Sequence, residues 1–142
     1  MKKILLIQVL ALFITMPSCA QKLKESDVPA VVRTAFAKQY PGVAPKWGKE
    51  DGKYEAGFKN KGKNMSATFE VNGVMEESEM SIDVADLPAI ALVYIKENYK
   101  GKRITEAAKI SKADGTVNYE AEVSKKDLIF DATGKFLNEI NH

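Results

Sequence analysis

The stretch from Asp27 to Ile140 contains one pattern of about 60 residues that occurs twice. Four short motifs recur in the same order, with corresponding positions 59 to 65 residues apart. They are Asp-x-Pro-Ala at 27–30 and 86–89, Tyr-x-Gly at 40–42 and 99–101, Tyr-Glu-Ala at 54–56 and 119–121, and Phe-acid-x-x-Gly at 69–73 and 130–134. The differences in length fall between the motifs, where loops tolerate insertions. The pattern therefore predicts two similar units within one chain.

Each copy begins with a helical pattern. Apolar residues recur at i, i+3, i+4, i+7 and i+8 from Val28 and again from Leu87, which is the spacing of one helix face. Small polar residues at helix starts accept hydrogen bonds from free N–H groups, and proline fits the first turn. The expected caps and first-turn prolines are Ser26 or Asp27 with Pro29, and Asp86 with Pro88.

After each helix, apolar and polar residues alternate with a period of two, as in strands that have one face open to water. The clearest cases are residues 54–59, 67–71 and 117–124, and we expect Val43–Lys49 and Ile104–Ser111 to be the first strands. Gly-containing pairs such as Asp51-Gly52 mark the hairpin turns. Each copy is therefore predicted to be an α-β-β-β-β unit.

The predicted fold class is α+β, with the helices packed on one face of an antiparallel sheet. One helix on four strands is a thin unit of about 55 residues, which is marginally stable alone. The connector at 83–85 is also short. We therefore predict one compact two-layer domain over residues 21–142, made of repeats at about 26–82 and 85–140.

The first twenty residues predict a signal peptide. Lys2 and Lys3 precede the apolar run Ile4–Thr15, and small residues follow it. The run has about 12 residues, against roughly 20 in a helix that spans a bilayer. We therefore expect export, and no transmembrane segment in the mature protein.

Two mature forms are open at the end of this segment. Cleavage between Ala20 and Gln21 follows the small-x-small rule and would release a soluble periplasmic protein. Alternatively, Cys19 is the lipidated first residue of an anchored lipoprotein. Release is favoured because Met16 stands three residues before Cys19, where such lipoproteins usually have leucine.

The mature composition argues against several classes of function. Removing residues 1–20 takes away two lysines and no acid, so nineteen basic and nineteen acidic residues leave the chain neutral. A neutral chain has no general attraction for nucleic acid or anionic lipid. The sequence after Ala20 has no cysteine, and its one histidine is the terminal His142. We therefore expect no catalytic residues, no cofactor and no metal site.

Carboxylates are the remaining candidates for chemistry, and the alternating pattern assigns them to solvent, where they would be ordinary charges rather than an acid–base pair. The acidic run at 76–79 offers the oxygen ligands that calcium prefers, but it lacks the alternating spacing of a calcium loop. A charged strand that discourages edge pairing is the favoured interpretation. The acids predicted on solvent faces are Glu55, Glu70, Glu120, Glu122 and Asp131.

Two features are candidates for partner binding. Lys59, Lys61 and Lys63 alternate through a predicted hairpin tip, and on an extended chain they would point the same way. They would attract an acidic partner or an anionic envelope polymer, although a solvated hairpin tip is the favoured interpretation. Trp47, the only tryptophan, is favoured as a core residue, whereas an exposed indole there would be a binding hot spot.

The order and duplication of these motifs resemble the PepSY-like, β-lactamase-inhibitor-like family of exported proteins, found mostly in Bacteroidota. The resemblance covers residues 24–142, which is essentially the whole mature chain. It implies helices on one face of an antiparallel sheet, with the other face available for docking. It implies no catalytic residue.

We therefore expect a non-enzymatic exported binding module that uses its open sheet face to contact an envelope or secreted protein, with inhibition of a protease or a β-lactamase-type enzyme as one form of this activity. The alternative is an envelope sensor that binds a small ligand or an ion between the two repeats. An enzyme is the least favoured class.

Overall fold

The computed structural model describes residues 21–141, which form two α-helices on one nine-stranded antiparallel sheet. The helices are α1 (Ala30–Gln39) and α2 (Ala89–Asn98), and each follows a short 3-10 helix, at Glu25–Asp27 and at Val84–Asp86. The strands occur in the sheet in chain order: β1 (Gln21–Leu23), β2 (Lys46–Glu50), β3 (Lys53–Asn60), β4 (Lys63–Phe69), β5 (Met75–Ser81), β6 (Ile104–Lys112), β7 (Val117–Val123), β8 (Lys126–Asp131) and β9 (Phe136–Asn141).

This architecture confirms the predicted α+β class. After β1, which the sequence did not predict, both halves have the same element order: a 3-10 helix, an α-helix and four strands. Duplication as the origin of this order remains a prediction. No helix within residues 21–141 is long and apolar enough to cross a bilayer.

Strand register places both helices on the same face of the sheet. On β3, Ala56 packs beneath α1 and pairs with Ala67 of β4. The same row of paired residues continues through Ser78 of β5 to Ser111 of β6. Lys109 and Ala107 lie two and four residues before Ser111 and therefore on the same face of β6. Of these, Ala107 packs beneath α2. Because side chains alternate between faces with a period of two, the two helices share one face. The opposite face, which we call the helix-free face, carries no helix from the described part of the chain.

The core consists of two clusters, one beneath each helix. Beneath α1, the ring of Phe36 lies 5.0 Å from that of Phe58 and 5.5 Å from that of Trp47, measured between centroids. Beneath α2, Ile95 packs with residues that include Leu128 and Phe130. Each helix thus buries one apolar stripe against aromatic and branched side chains of its own four strands.

The helix starts differ from the prediction. Within the described residues neither helix has a side-chain capping bond, and Pro29 and Pro88 occupy the N-cap positions themselves. Asp27 and Asp86 lie instead in the preceding 3-10 turns. The reason is that the next residues, Val28 and Leu87, are buried in the core in extended conformation, so that each helix begins only after the proline.

The helical stripe is also narrower than predicted, since Val31 and Ile90 are about half exposed. The first strand of the second half agrees well with the prediction, but β2 begins at Lys46 rather than Val43. Pro45 has no N–H to donate to a ladder, and the N–H of Val43 donates to the carbonyl of Tyr40 in a turn.

Candidate functional site

Four acidic residues are buried on the helix-free face. Register places Glu55 of β3 and Glu79 of β5 on this face, together with Glu120 of β7 and Asp127 of β8. Their exposed fractions are 7%, 4%, 6% and 2%, respectively. We call these four residues the carboxylate cluster. Acidic side chains are rarely this buried, so the cluster marks this face as the candidate site.

Charge interactions and burial on this face indicate that the sheet curls around it. Glu79 interacts electrostatically with Asp127, although β5 and β8 are three strands apart. In a flat sheet, three steps would separate the strands by about 14 Å. The apolar residues of the same face support this conclusion, because Ile110 and Ile129 are also fully buried. The curl gathers carboxylates from both halves of the chain.

Burial and like charges raise the pKa values of the cluster. Loss of hydration is the main cause for Glu55, whose pKa rises to about 7, with the charges of Glu50 and Glu77 adding to it. For Glu79 and Glu120 the same two causes hold the pKa of each carboxyl well above the ordinary range. These two groups therefore retain protons at neutral pH, when ordinary carboxyls are ionised.

Two oxygen atoms of the cluster have no hydrogen-bond partner among residues 21–141. They are Oε1 of Glu79 and Oε2 of Glu120, and both are buried. A buried polar atom without a partner costs about 1–3 kcal/mol, so such atoms in a native protein require an explanation. Within residues 21–141, no three acidic or histidine side chains converge closely enough to hold a metal ion.

The prediction that Glu55 and Glu120 are solvated is wrong. Their strands do alternate as predicted, and the two residues do lie on the face opposite the helices. The curl of the sheet, which the sequence does not show, then removes them from water. One sequence signal was available, because on several strands acidic residues occupy alternate positions that point to the helix-free face. These acids are Glu55, Glu77, Glu79, Glu106, Glu120, Glu122 and Asp127.

The acidic run at 76–79 is divided by the fold. Glu76 accepts hydrogen bonds from Nζ of Lys53, with both carboxylate oxygens at 2.6 Å. Glu77 and Glu79 lie on the helix-free face, where the pKa of each carboxyl is raised. Within this run, Glu76 therefore forms an ion pair, whereas Glu77 and Glu79 lie at the carboxylate cluster.

The other predicted solvent-facing acids keep contact with water. Glu122 is partly buried and accepts a hydrogen bond from Oγ1 of Thr105 at 2.7 Å. Asp131 organises the β8–β9 turn by accepting from the N–H groups of Thr133 and Lys135, and these bonds lower its pKa. Glu70 lies 3.7 Å from Nζ of Lys53.

Trp47 is a core residue. Its side chain is 6% exposed and packs against Phe36 and Phe69, with ring centroids at 5.5 and 6.3 Å. The favoured interpretation of this residue agrees with the structure. The alternative, an exposed indole that contacts a partner, does not, because the core under α1 encloses the ring.

The three candidate lysines are exposed but do not share a face. The chain reverses at Lys61, which has a φ of +49°, so β3 and β4 form a hairpin and not one extended chain. Lys59 follows Glu55 on the helix-free face, whereas Lys63 pairs with Asn60 on the other face. Their common direction, assumed from the sequence, is wrong.

Several other predicted positions give little information. Ala20, Cys19 and His142 lie outside the described residues, and Gln21 is the first residue of β1.

A shallow cavity of about 320 Å³ lies at the end of α2, within the second half and not between the repeats. Its lining is partly basic and partly apolar: Val84, Leu92, Ile95, Lys96, Tyr99, Gly101, Lys102, Arg103 and Ile104.

A family model described as beta-lactamase-inhibitor-like, PepSY-like matches residues 52–138. No curated protein matches the sequence. Among solved structures, a protein described as periplasmic from Bacteroides eggerthii has a TM-score of 0.74 at 17% identity, covering 80% of this chain and 88% of its own.

Two other solved structures are similar. A DUF2874 family protein from Bacteroides uniformis has a TM-score of 0.72 at 18% identity, with 80% of this chain and 88% of that chain covered. A BLIP-like protein from Bacteroides fragilis has a TM-score of 0.66 at 22% identity, with 79% and 85% covered. At these identities the likeness shows a shared fold.

Proposed function

The chain belongs to the PepSY-like, β-lactamase-inhibitor-like family, and from this premise we propose that it is an exported, non-enzymatic module that binds an envelope or secreted protein through its helix-free face. The observation that carries the proposal is the position of the carboxylate cluster. Two halves of the chain contribute buried acids to the sheet face opposite the helices. A partner that covers this face would meet a curved surface that is already formed.

The chemistry of the cluster supports binding rather than catalysis. Hydrolysis by two acids needs one ionised carboxylate beside one protonated carboxyl. The glutamates on this face whose pKa is shifted all shift upward: Glu50, Glu55, Glu77, Glu79, Glu106 and Glu120. Because the surroundings of each of these groups disfavour the ionised form that would act as a base, we favour binding over catalysis.

Export and a periplasmic location belong to the same proposal. They are supported by the signal pattern of the first twenty residues and by the fold shared with a protein described as periplasmic. Inhibition of a secreted protease or a β-lactamase-type enzyme is one form that the binding would take, because one protein of this fold is described as BLIP-like.

Site-specific photo-crosslinking in the native host tests the proposal. A photoreactive amino acid replaces Lys46 or Lys59, which are exposed on the helix-free face, and in matched variants it replaces Lys38 or Lys96, which are exposed on the helices. We expect a discrete protein adduct from the first pair and not from the second. Adducts only from the helix positions, or none from any position, would contradict the proposal.

A sensor function is the second candidate, and the cavity beside α2 favours it. Lys96, Lys102 and Arg103 surround an apolar floor that includes Ile95. This combination suits a small amphipathic anion. A melting temperature that rises with fatty acids or aromatic carboxylates, and no longer rises after Arg103→Ala, would support this candidate.

A further inference from the structure

The end of α2 and the loop that follows it carry an excess of positive charge. Residues 96–103 contain four basic residues and one acid, Glu97, and all five side chains are exposed. Strand register adds one more lysine, because Ile104 pairs with Val123 and the β7–β8 turn, with the exposed Lys125, therefore lies at the same end of the sheet. These five basic residues, which we call the basic end, are Lys96, Lys100, Lys102, Arg103 and Lys125.

The two halves of the chain differ at these positions. The Tyr-x-Gly motif at 40–42 corresponds to the one at 99–101, an offset of 59 residues. At this offset, the residues that correspond to the four basic residues of 96–103 are Ala37, Pro41, Val43 and Ala44. Val43 packs against the core beneath α1, whereas Lys102 is exposed. The first half forms the same elements without these charges, so the fold itself does not require them.

The charges of the basic end are not balanced by the described chain. The ion pairs that form within residues 21–141 use Lys53 and Lys126 instead. Two exposed acids lie beside the basic end, namely Glu97 on α2 and Asp83, which precedes the cavity residue Val84. Five positive groups therefore outnumber two negative ones, although the mature chain as a whole is neutral. The overall neutrality conceals an uneven distribution of charge.

Apolar surface lies among these positive groups. Lys96, Lys102 and Arg103 line the cavity at the end of α2, and Ile95 and Val84 form part of its apolar lining. Ile95 is buried, but Val84 is 37% exposed, so apolar surface reaches solvent between the charges. Basic side chains around exposed apolar groups are typical of surfaces that bind a membrane interface, where the charges meet lipid phosphates and the apolar groups enter the headgroup region.

We propose that the basic end docks this protein on an anionic phospholipid bilayer. The ammonium and guanidinium groups meet lipid phosphates, and the apolar rim of the cavity lies at the level of the headgroups. The strands lead away from the bilayer, since Arg103 precedes the start of β6 and Ala113 follows its end. Both faces of the sheet stay accessible in this orientation. The inference goes beyond the proposed function and does not depend on it.

A bilayer fits the basic end better than an acidic protein does. Four of its five positive groups are lysines, and they come from α2, from the loop after it and from the β7–β8 turn. Lysine is a point charge on a flexible stem, whereas arginine forks suit carboxylates in fixed positions. Lysines on separate segments can each follow a mobile lipid phosphate, and each one adds to binding on an anionic surface.

Co-sedimentation with vesicles tests the inference, using residues 21–142 without a lipid anchor. The vesicles contain phosphatidylcholine alone or phosphatidylcholine with phosphatidylglycerol. We expect binding at least tenfold stronger to the anionic vesicles in about 0.1 M NaCl, and loss of most of this binding in about 0.5 M NaCl, because salt screens exposed charges. Equal binding to the two kinds of vesicle would overturn the inference.

Matched variants locate the contact. Lys100→Gln with Lys102→Gln and Arg103→Gln removes three charges from the basic end. Each basic residue near an anionic surface strengthens binding roughly fivefold, so this variant should bind at least tenfold more weakly. The control replaces the lysines at 59, 61 and 63 of the β3–β4 hairpin by glutamine and should bind less than threefold more weakly. Equal losses, or unaltered binding by the first variant, would contradict docking by the basic end.

A fluorescent label reports the orientation without removing any charge. The chain after Ala20 has no cysteine, so Asn98→Cys and Ala113→Cys each provide a single attachment site. Asn98 lies beside the basic end, and Ala113 lies at the opposite end of β6. On anionic vesicles, the emission of an environment-sensitive dye should shift to the blue at position 98 and not at position 113. Any other pattern would contradict the proposed orientation.

Dihexanoyl-phosphatidylglycerol, used as a soluble monomer, separates a bilayer from a single lipid molecule. We expect it to cause no saturable change in the emission of the dye at position 98. If it saturates this signal and abolishes vesicle binding, the cavity binds a single amphiphile, as the sensor candidate requires, and docking on a bilayer is wrong. If vesicle binding holds while photo-crosslinking of the helix-free face yields no adduct, the proposed function alone fails.

Discussion

Gly134 lies where the β8–β9 turn meets the start of α2. Its φ is +93°, a left-handed conformation that side chains rarely adopt. A Cβ at this position would lie 2.8 Å from Cβ of Pro88 and 2.9 Å from the backbone nitrogen of Ala91. Gly73 makes the equivalent approach to Val31 in the first half. Each turn therefore fixes its helix through a contact that only glycine permits.

We predict that Gly134→Ala lowers the free energy of unfolding by about 2–4 kcal/mol, because backbone strain and overpacking add. Urea denaturation followed by circular dichroism measures the change. Gly115→Ala is the matched control, since Gly115 also has a positive φ of +86°, but beyond its two chain neighbours no atom of residues 21–141 lies within 4 Å of the added Cβ. It should lose about 1 kcal/mol. Equal losses would show that the helix contact is unimportant.

Among the elements, α1 is attached to its strands mainly through Phe36. This ring is 2% exposed and lies edge-on to Trp47, Phe58 and Phe69. The corresponding position of α2 is Ile95, which is buried but not aromatic. The two helices therefore occupy similar places with different packing, and α1 depends on one large side chain.

We predict that Phe36→Ala destabilises the protein by about 3–5 kcal/mol, because the surrounding rings cannot fill the cavity. Hydrogen exchange should accelerate most in α1 and β2–β4. Val93→Ala, at an exposed position of α2, should change stability by less than about 0.5 kcal/mol. Similar losses for the two variants would mean that the aromatic contacts do not hold α1.

In the whole molecule, β5 and β6 join the two halves. Five residue pairs connect these strands, from Glu77 with Lys112 to Ser81 with Ala108. The N–H of Ala113 also donates to the carbonyl of Glu76 at 2.8 Å. The sheet is therefore continuous although the core is divided into two clusters, and we expect the halves to unfold together.

Trp47 fluorescence tests this cooperativity, because the only tryptophan lies in the first half. Ile95→Ala, in the second half, should cost about 2–5 kcal/mol. If the halves form one unit, the fluorescence midpoint in urea should fall together with the midpoint seen by circular dichroism. A fluorescence midpoint that stays at the wild-type value would show two separate domains.

The carboxylate cluster predicts an unusual pH dependence. A carboxyl whose pKa rises on folding binds its proton more tightly in the folded state. Stability is then greatest below the unfolded value of 4.5 and falls as pH rises towards the folded value, which is about 7 for Glu55. We predict that the free energy of unfolding falls by a few kcal/mol between pH 5 and pH 8.

Urea denaturation across this range measures the slope, and Glu79→Gln with Glu120→Gln should flatten much of it. Glu97→Gln should leave it unchanged. Asp114 and Asp131 have lowered pKa values, so their ionised forms stabilise the folded protein. This contribution to the free energy of unfolding is lost only as the pH falls below about 4. A wild-type stability that rises from pH 5 to pH 8 would contradict the burial of ionisable groups on this face.

Much of the fold is predictable because its signals are local. The helix at 30–39 and the strand at 104–112 follow from periodicity, which depends on residues within one element. The site was predicted less well. Lys59 and Lys63 were assigned to one side because a turn at Lys61 was treated as extended chain, and Glu55 was assigned to water because the curl of a nine-stranded sheet arises from many strands at once.

The amino-acid order was sufficient for most of the secondary structure and for the choice of face, since alternation puts Tyr54 and Phe58 on one side and Glu55 on the other. Burial of that second side depends on how far β5, β7 and β8 bend towards each other, and this bend sums small twists over the whole sheet. Glu79 and Glu120 are 41 residues apart in the chain. Their shared environment, unpaired within residues 21–141, exists only after β6 has taken its place between β5 and β7.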